Sequence, residues 1–342
     1  MDSARPESHE DGRLASEHPL GELLPPGMDE QALQEAVDFS GYPLQTVVAE
    51  WLFDHGFAVC EEWAFVDPDT DTRRTIDIEA ARFVDGWFET DAGRTAVGGV
   101  LLIECKQSRN PYLGFEAVRI NPLVRRLPVA GLPHAEIALH WEEEVEGAMA
   151  VSVPVLHALG LTEHPFFTDP PVATNLSKAH PKGKRVELSG DEPYNALSQP
   201  LIKAMLRYIE HWTFSPGDRP EGQYSIHLPM PIAVVDAPLL LVRGRKGSSE
   251  ICPTEWMRVI THEAASRSPE PWRPLGFDVI NVVHADFFPT FVERHLLPFF
   301  DEFARRLRLV QDALLTGEAR VPDAGLGLAR RGDYFEWLTT RA

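Results

Sequence analysis

The sequence predicts a mixed α/β fold, with a sheet that carries helices on both faces. Three observations predict it. Apolar residues recur at helical spacing in residues 42–56 and 192–212, and period-two runs fill residues 57–106 between those helices. Continuous apolar runs, "MPIAVVDAPLLLVRG" and "GFDVINVVHA", read as strands buried on both sides. With 342 residues, 44% of them apolar and 25% charged, the chain is large enough to bury a sizeable core.

Residues 1–27 are polar and punctuated by Pro and Gly, which predicts a flexible acidic arm. "MDEQALQEAVDF" then predicts a short helix opened by Asp29. A second helix follows in "YPLQTVVAEWLFDHG", with Pro43 in its first turn, an apolar stripe of Leu44, Val47, Val48, Trp51 and Leu52, and Gly56 as its stop. Three strands are expected next, in "FAVCEEWAFV", "RRTIDIEAARFV" and "AVGGVLLIECK", the last two joined by a loop opening at Asp85-Gly86. Residues 110–190 are broken by prolines and read as an insertion, with elements in "HAEIALHW" and "AMAVSVPVLHAL". Order resumes with the helix "EPYNALSQPLIKAMLRYIEHW", the two apolar strands and the long final helix "FFPTFVERHLLPFFDEFARRLRLVQDALL". The expected organisation is a single domain over 28–315 that contains the insertion, with a C-terminal extension over 316–342.

Composition narrows the function classes. No apolar run approaches the roughly 20 residues a membrane helix needs, and the acidic N-terminus lacks the basic start of a signal peptide, so a cytoplasmic protein without a membrane partner is expected. Three cysteines without C-x-x-C spacing argue against a disulfide framework or a zinc site. Thirteen histidines include no H-E-x-x-H pattern on a plausible helix. The net charge of −20 opposes a general nucleic-acid coat, but residues 1–40 alone contribute ten acids against two bases.

The chemistry concentrates in "TIDIEA" and "LLIECKQS". Side chains alternate along a strand, so Glu104 and Lys106 share one face while Ile103 and Cys105 take the other. The same rule pairs Asp77 with Glu79, opposite Ile76 and Ile78. If the two strands pair, Asp77 and Glu104 become neighbours, and two adjacent carboxylates call for a positive charge between them. A divalent ion such as Mg²⁺ would supply it with one or two carboxylate ligands, and Lys106 would approach the same point. A strand-edge salt-bridge ladder, needing no ion, is the competing reading.

These residues, preceded by a helix bearing Glu50 and by a strand, resemble the PD-(D/E)XK nuclease superfamily, which has a restriction-endonuclease-like fold. The resemblance implies a core of helix, three strands, helix and strand, here with a large insertion after the E-x-K strand and an appended strand and helix. It implies a metal-dependent nuclease acting on nucleic acid, with DNA the expected substrate. Asp77, Glu104 and Lys106 would be catalytic, and Asp77, Glu104 and Glu50 would hold Mg²⁺ or Mn²⁺. Glu79 and Gln107 are candidate accessory residues, and Gln199 would match a glutamine that approaches the site in Mrr-like members. A place in bacterial defence or restriction follows from the family analogy alone.

Two basic clusters are candidates for phosphate contacts: Lys178, Lys182, Lys184 and Arg185, and Arg243 and Arg245 beside Lys246. Arg109, Arg119, Arg125 and Arg126 follow the E-x-K strand. A catalytically inactive scaffold of the same fold, binding nucleic acid or a protein partner, remains the alternative, and a homodimer is equally open.

Overall fold

A computed structural model describes residues 24–38, 40–67, 70–90, 93–117, 127–141, 150–212, 223–244, 247–262, 277–321 and 333–339. Most of the expected acidic arm lies outside these residues, as do Arg119, Arg125, Arg126, Arg245 and Lys246. The principal helices are α1 (Glu30–Asp38), α2 (Tyr42–Asp54), α3 (Gln199–Trp212) and α4 (Leu297–Leu309). The strands are β1 (Ala58–Val66), β2 (Arg73–Thr90), β3 (Gly93–Gln107), β4 (Tyr112–Glu116), β5 (Glu136–Trp141), β6 (Val151–Pro154) and β7 (Val172–Lys182). They continue as β8 (Arg185–Ser189), β9 (Gln223–Asp236), β10 (Leu239–Arg243), β11 (Glu250–Pro253), β12 (Trp256–His262), β13 (Phe277–His284) and β14 (Glu318–Val321).

Local chemistry explains the first elements. The Asp29 Oδ1 accepts from the backbone N–H groups of Gln31 and Ala32, at 2.9 and 3.1 Å, and caps α1. Gly41, at φ 88°, precedes α2, and Gly56, at φ 81°, follows it. The buried stripe of α2 is Leu44, Gln45, Val48, Ala49 and Leu52. Val47, expected in that stripe, is 63% exposed because it falls outside the arc that these five residues span on the helix.

Ten strands lie along one continuous mixed sheet in the order β1-β2-β3-β9-β13-β12-β7-β4-β10-β11, and β8 pairs with β7 to make an eleventh. β1, β2 and β3 form the expected antiparallel meander, and β9 runs parallel to β3 over its whole length. The loop expected at Asp85-Gly86 is instead a bulge within a longer hairpin: β2 continues to Thr90, its register against β3 shifts between Val84 and Trp87, and Gly86 adopts φ 72°. The single strand expected over 230–244 divides into β9 and β10. Between them Pro238 has no N–H to offer a ladder, and its carbonyl accepts from the Tyr112 N–H at 2.9 Å.

Helices cover both faces. On one, Leu44, Val48 and Leu52 of α2 and Phe299, Phe300 and Phe303 of α4 pack on Leu101, Ile103 and Cys105. On the other, Met205 and Tyr208 of α3 pack on Val100 and Leu102. Leu201 and Ile202, nearer the start of α3, cluster with Val235, Met257, Ile280, Ala173 and Tyr112.

The segment expected as an insertion is woven into the fold: β4, β7 and β8 belong to the main sheet, and β5 pairs with β6 and β14 in a second, three-stranded sheet. No described helix is long and apolar enough to cross a membrane.

One buried ion cluster locks α3 to the meander. The Lys203 Nζ donates to both oxygens of Asp67 at 2.9 and 2.7 Å, and Arg74 meets the same carboxylate. Asp67 is wholly buried and Lys203 nearly so. Lys203→Met removes one cation from a buried carboxylate and is expected to cost about 3 kcal/mol, the lower end for a broken buried pair because Arg74 remains. Urea denaturation of the two proteins measures this, and a loss below about 1 kcal/mol would mean that Arg74 alone suffices.

Candidate active site at the end of β3

The candidate residues meet where β2 parts from β3. The ladder between these strands ends at Ile78 opposite Ile103, and beyond it the Cys105 N–H has no backbone partner on β2. The Asp77 Oδ2 accepts that N–H at 2.6 Å. A carboxylate therefore replaces a ladder bond, which holds Asp77 against the end of β3. The Lys106 Nζ lies 3.0 Å from the Glu104 Oε2 and 3.7 Å from the Asp77 Oδ2. Asp77, Glu104 and Lys106 thus form one charged group, and strand alternation puts the Glu104 and Lys106 side chains on the face that α3 covers.

Asp77 departs from simple alternation. Ile76 packs with Phe65 and Met205 on the α3 side, whereas Ile78 packs with the α2 side. The expectation that both isoleucines share a face is corrected: the hairpin of β1 and β2 changes face at Asp77. Across from it, Glu62 takes φ 52°, between paired positions Glu61 opposite Ile78 and Trp63 opposite Ile76. This positive φ on a non-glycine residue marks the irregularity in β1.

Burial shapes the charges. Glu104 is 5% exposed, and desolvation, then the Asp77 carboxylate, push its pKa up to about 7 against the opposing pull of Lys106; Glu62 adds to the rise. For Lys106, burial alone would lower the pKa, but the Glu104 and Asp77 charges overcome it and hold the ammonium above its ordinary value. The site thus has one buried acid that ionises reluctantly and one cation that is firmly protonated.

Other predicted residues divide. Glu79 is held protonated more readily by burial, and it stands beside Tyr208, whose hydroxyl is raised first by burial and then by the Glu79 charge. It is absent from the charges acting on Glu104. Glu50 is exposed, off the buried stripe of α2 and about 13 Å along the helix from Gly41, the end that approaches the Cys105 carbonyl. α2 packs on the face of β3 that carries Ile103 and Cys105, the face opposite the Glu104 and Lys106 side chains. Gln107 lies on the opposite face, where its Nε2 donates to Asp236 at 3.0 Å and it lines a groove with Pro43, Leu44 and Phe288. That placement removes it from the Glu104 side, because adjacent strand residues point to opposite faces. Gln199 is half-buried in the first turn of α3, one turn ahead of Lys203.

The predicted basic residues are mostly countered by carboxylates. Lys178 donates to Glu192 at 2.7 Å, Lys182 to Glu187 at 2.8 Å and Arg243 to Glu116 at 3.3 Å. Lys182, Lys184 and Arg185 sit at the exposed tip of the hairpin between β7 and β8, and Arg245 lies outside the described residues.

Sequence reasoning missed two neighbours. Glu62 was legible only as half of an E-E pair in the first strand, and its place opposite Asp77 needed the register. Tyr112 is buried, and its hydroxyl is raised by desolvation, with Lys178, Glu192 and Lys106 acting on it as well. It had no local signal.

Among the described residues no group of three His, Cys, Asp or Glu side chains is gathered to hold a metal. Two carboxylates are nevertheless what a Mg²⁺ ion that keeps several waters uses, and a buried acid raised by its carboxylate neighbour is a group that a cation would help to ionise. Asp77 and Glu104 fit that requirement. No protein-family model, curated protein or solved structure matches the chain.

The raised pKa of Glu104 sets a sign for stability. The folded protein holds a proton there more tightly than the unfolded chain, so this group's contribution falls as pH rises from about 4.5 to about 7. Glu104→Gln, which stays neutral, is expected to gain melting temperature relative to wild type above this window and to gain nothing below it. Thermal unfolding across pH checks this; a variant destabilised at neutral pH but not in acid would show that the ionised Glu104–Lys106 pair is the stabilising form.

Proposed function

We propose that this protein is a metal-dependent nuclease that hydrolyses phosphodiester bonds, with DNA as its substrate. The observation that carries the reading is the grouping of Asp77, Glu104 and Lys106 at a strand end, with Glu104 buried beside a second carboxylate. The restriction-endonuclease-like identity of the core is part of this proposal. It is supported by the succession α2, β1, β2, β3, α3 and β9, with β9 parallel to β3.

Each residue has a role that follows from its surroundings. Asp77 and Glu104 would hold Mg²⁺ or Mn²⁺, which supplies a polarised phosphate and a water of lowered pKa. Lys106, kept protonated by both carboxylates, orients the attacking water and offers positive charge to the phosphate oxygens. Cys105 contributes only its backbone N–H, which fixes the Asp77 carboxylate. Glu50, Glu79 and Gln107 have no part in this proposed set. Lys182, Lys184 and Arg185, projecting at a hairpin tip, are suited to contacting the backbone of the nucleic acid. A role in defence or restriction rests on the resemblance alone.

One observation favours an inactive scaffold instead. Lys106 already bridges both carboxylates, so the group is electrostatically satisfied without an ion. Metal dependence separates the two readings.

Linear and circular DNA, single and double stranded, are expected to be cut by the wild type with Mg²⁺ or Mn²⁺ and to survive in chelator. Asp77→Ala, Glu104→Ala and Lys106→Ala should each lose about 10²-fold or more in rate at matched purity. If all four proteins are inactive and calorimetry finds no metal binding that depends on Asp77 and Glu104, the scaffold reading replaces the nuclease.

A further inference from the structure

Beyond Lys106, β3 gives way to the turn Ser108–Pro111 and then to β4, and a second polar group begins there. The Asn110 Nδ2 lies 3.2 Å from the Nδ1 of His180. An amide donor at Nδ1 makes that nitrogen the acceptor and leaves the proton on Nε2. The His180 Nε2 lies 2.7 Å from the Glu192 Oε2, and the Lys178 Nζ lies 2.7 Å from the Glu192 Oε1. Each oxygen of one carboxylate thus faces a separate donor. Lys178 also sits over the Tyr112 ring, 5.5 Å from its centroid.

This group adjoins the candidate site. Tyr112, paired with Lys178 across β4 and β7, follows Lys106 by six residues, and burial, Lys178, Glu192 and Lys106 all act on its hydroxyl. Asn110 is the fourth residue after Lys106, a reach of about 14 Å at most. A nucleic-acid strand carries a phosphate about every 3.4 Å of its axis, so a strand crossing Lys106 can place another phosphate here.

Donors and exposure suit an exchange. Lys178 and His180 come from β7, an integral strand of the sheet, and Lys178 keeps only 14% of its side chain exposed. Glu192 instead projects from the one-turn segment Asp191–Pro193, with 44% of its side chain exposed. A phosphodiester presents two non-bridging oxygens with one negative charge, as the Glu192 carboxylate does, so it can meet the same two donors.

We propose that Lys178 and His180 form a seat for a backbone phosphate flanking the reacting one, and that Glu192 occupies this seat in the free protein. This inference rests on the nucleic-acid reading of the Asp77, Glu104 and Lys106 site. Glu192 then acts as a built-in competitor: nucleic acid must displace it, and the carboxylate sets a threshold against weakly bound anions. In an acidic chain this keeps the part-buried Lys178 and His180 paired until a phosphate arrives.

The test is equilibrium binding of a labelled short DNA strand to the full-length protein in chelator, by fluorescence anisotropy over a range of salt. Glu192→Gln and Glu192→Ala, each checked for an unchanged melting temperature, are expected to bind about two- to fivefold more tightly than wild type, the worth of one exposed ion pair. Lys178→Ala is expected to bind more weakly and to reduce the salt slope by about one. His180→Ala should cancel part of the gain when combined with Glu192→Gln. Unchanged or weaker binding by both Glu192 variants would overturn the proposal. Because binding is read without metal, tighter binding by these variants upholds the seat even if no protein cleaves DNA, whereas cleavage with unaltered Glu192 variants rejects the seat and leaves the nuclease reading standing.

Discussion

The hydrogen bond from the Cys105 N–H to the Asp77 carboxylate organises the end of the sheet on which everything else depends. A strand that loses its neighbour exposes backbone donors, and a buried donor without a partner is costly. Asp77 resolves that problem with a side chain. The solution fixes a charged group beside the last residues of β3, where Glu104 and Lys106 already share a face. A carboxylate that completes a sheet thereby becomes one corner of a charged group, which ties a demand of folding to the candidate site.

The packing around β3 explains why the charges sit at its end. Leu101, Leu102 and Ile103 are fully buried between helices on both faces, and β2 and β9 take both edges. No charge could be accommodated there at acceptable cost. Past Ile103, where β2 parts from β3, the charged pair Glu104 and Lys106 begins, and even there Glu104 remains buried enough to resist ionisation. The buried Asp67–Lys203 pair serves the same end from the other direction, since it holds the start of α3 over this region.

The acidity of the chain takes on a local meaning in this setting. Lys178, Lys182 and Arg243 each meet a glutamate, so basic residues that look available in the sequence are engaged in the folded protein. Exposed pairs of this kind are weak and readily exchanged. A protein with an excess of carboxylates can therefore keep its cations ordered without forfeiting them as anion contacts.

The sequence by itself determined the mixed α/β class, both meander helices and the sharing of a face by Glu104 and Lys106, because these follow from periods of 3.6 and 2 and from turn chemistry within a few residues. Asp77 was legible as a candidate by its place in the preceding strand. Tertiary structure alone decided the rest. It put Glu62 opposite Asp77 through a register and a face change that alternation does not encode, paired Tyr112 with Lys178 across β4 and β7, and set Glu192 against Lys178 and His180. It left Glu50 in solvent because the buried stripe of its helix runs elsewhere. Residues 110–190, read as an insertion, supply strands to the main sheet, since pairing between distant strands depends on which edges the rest of the chain leaves open.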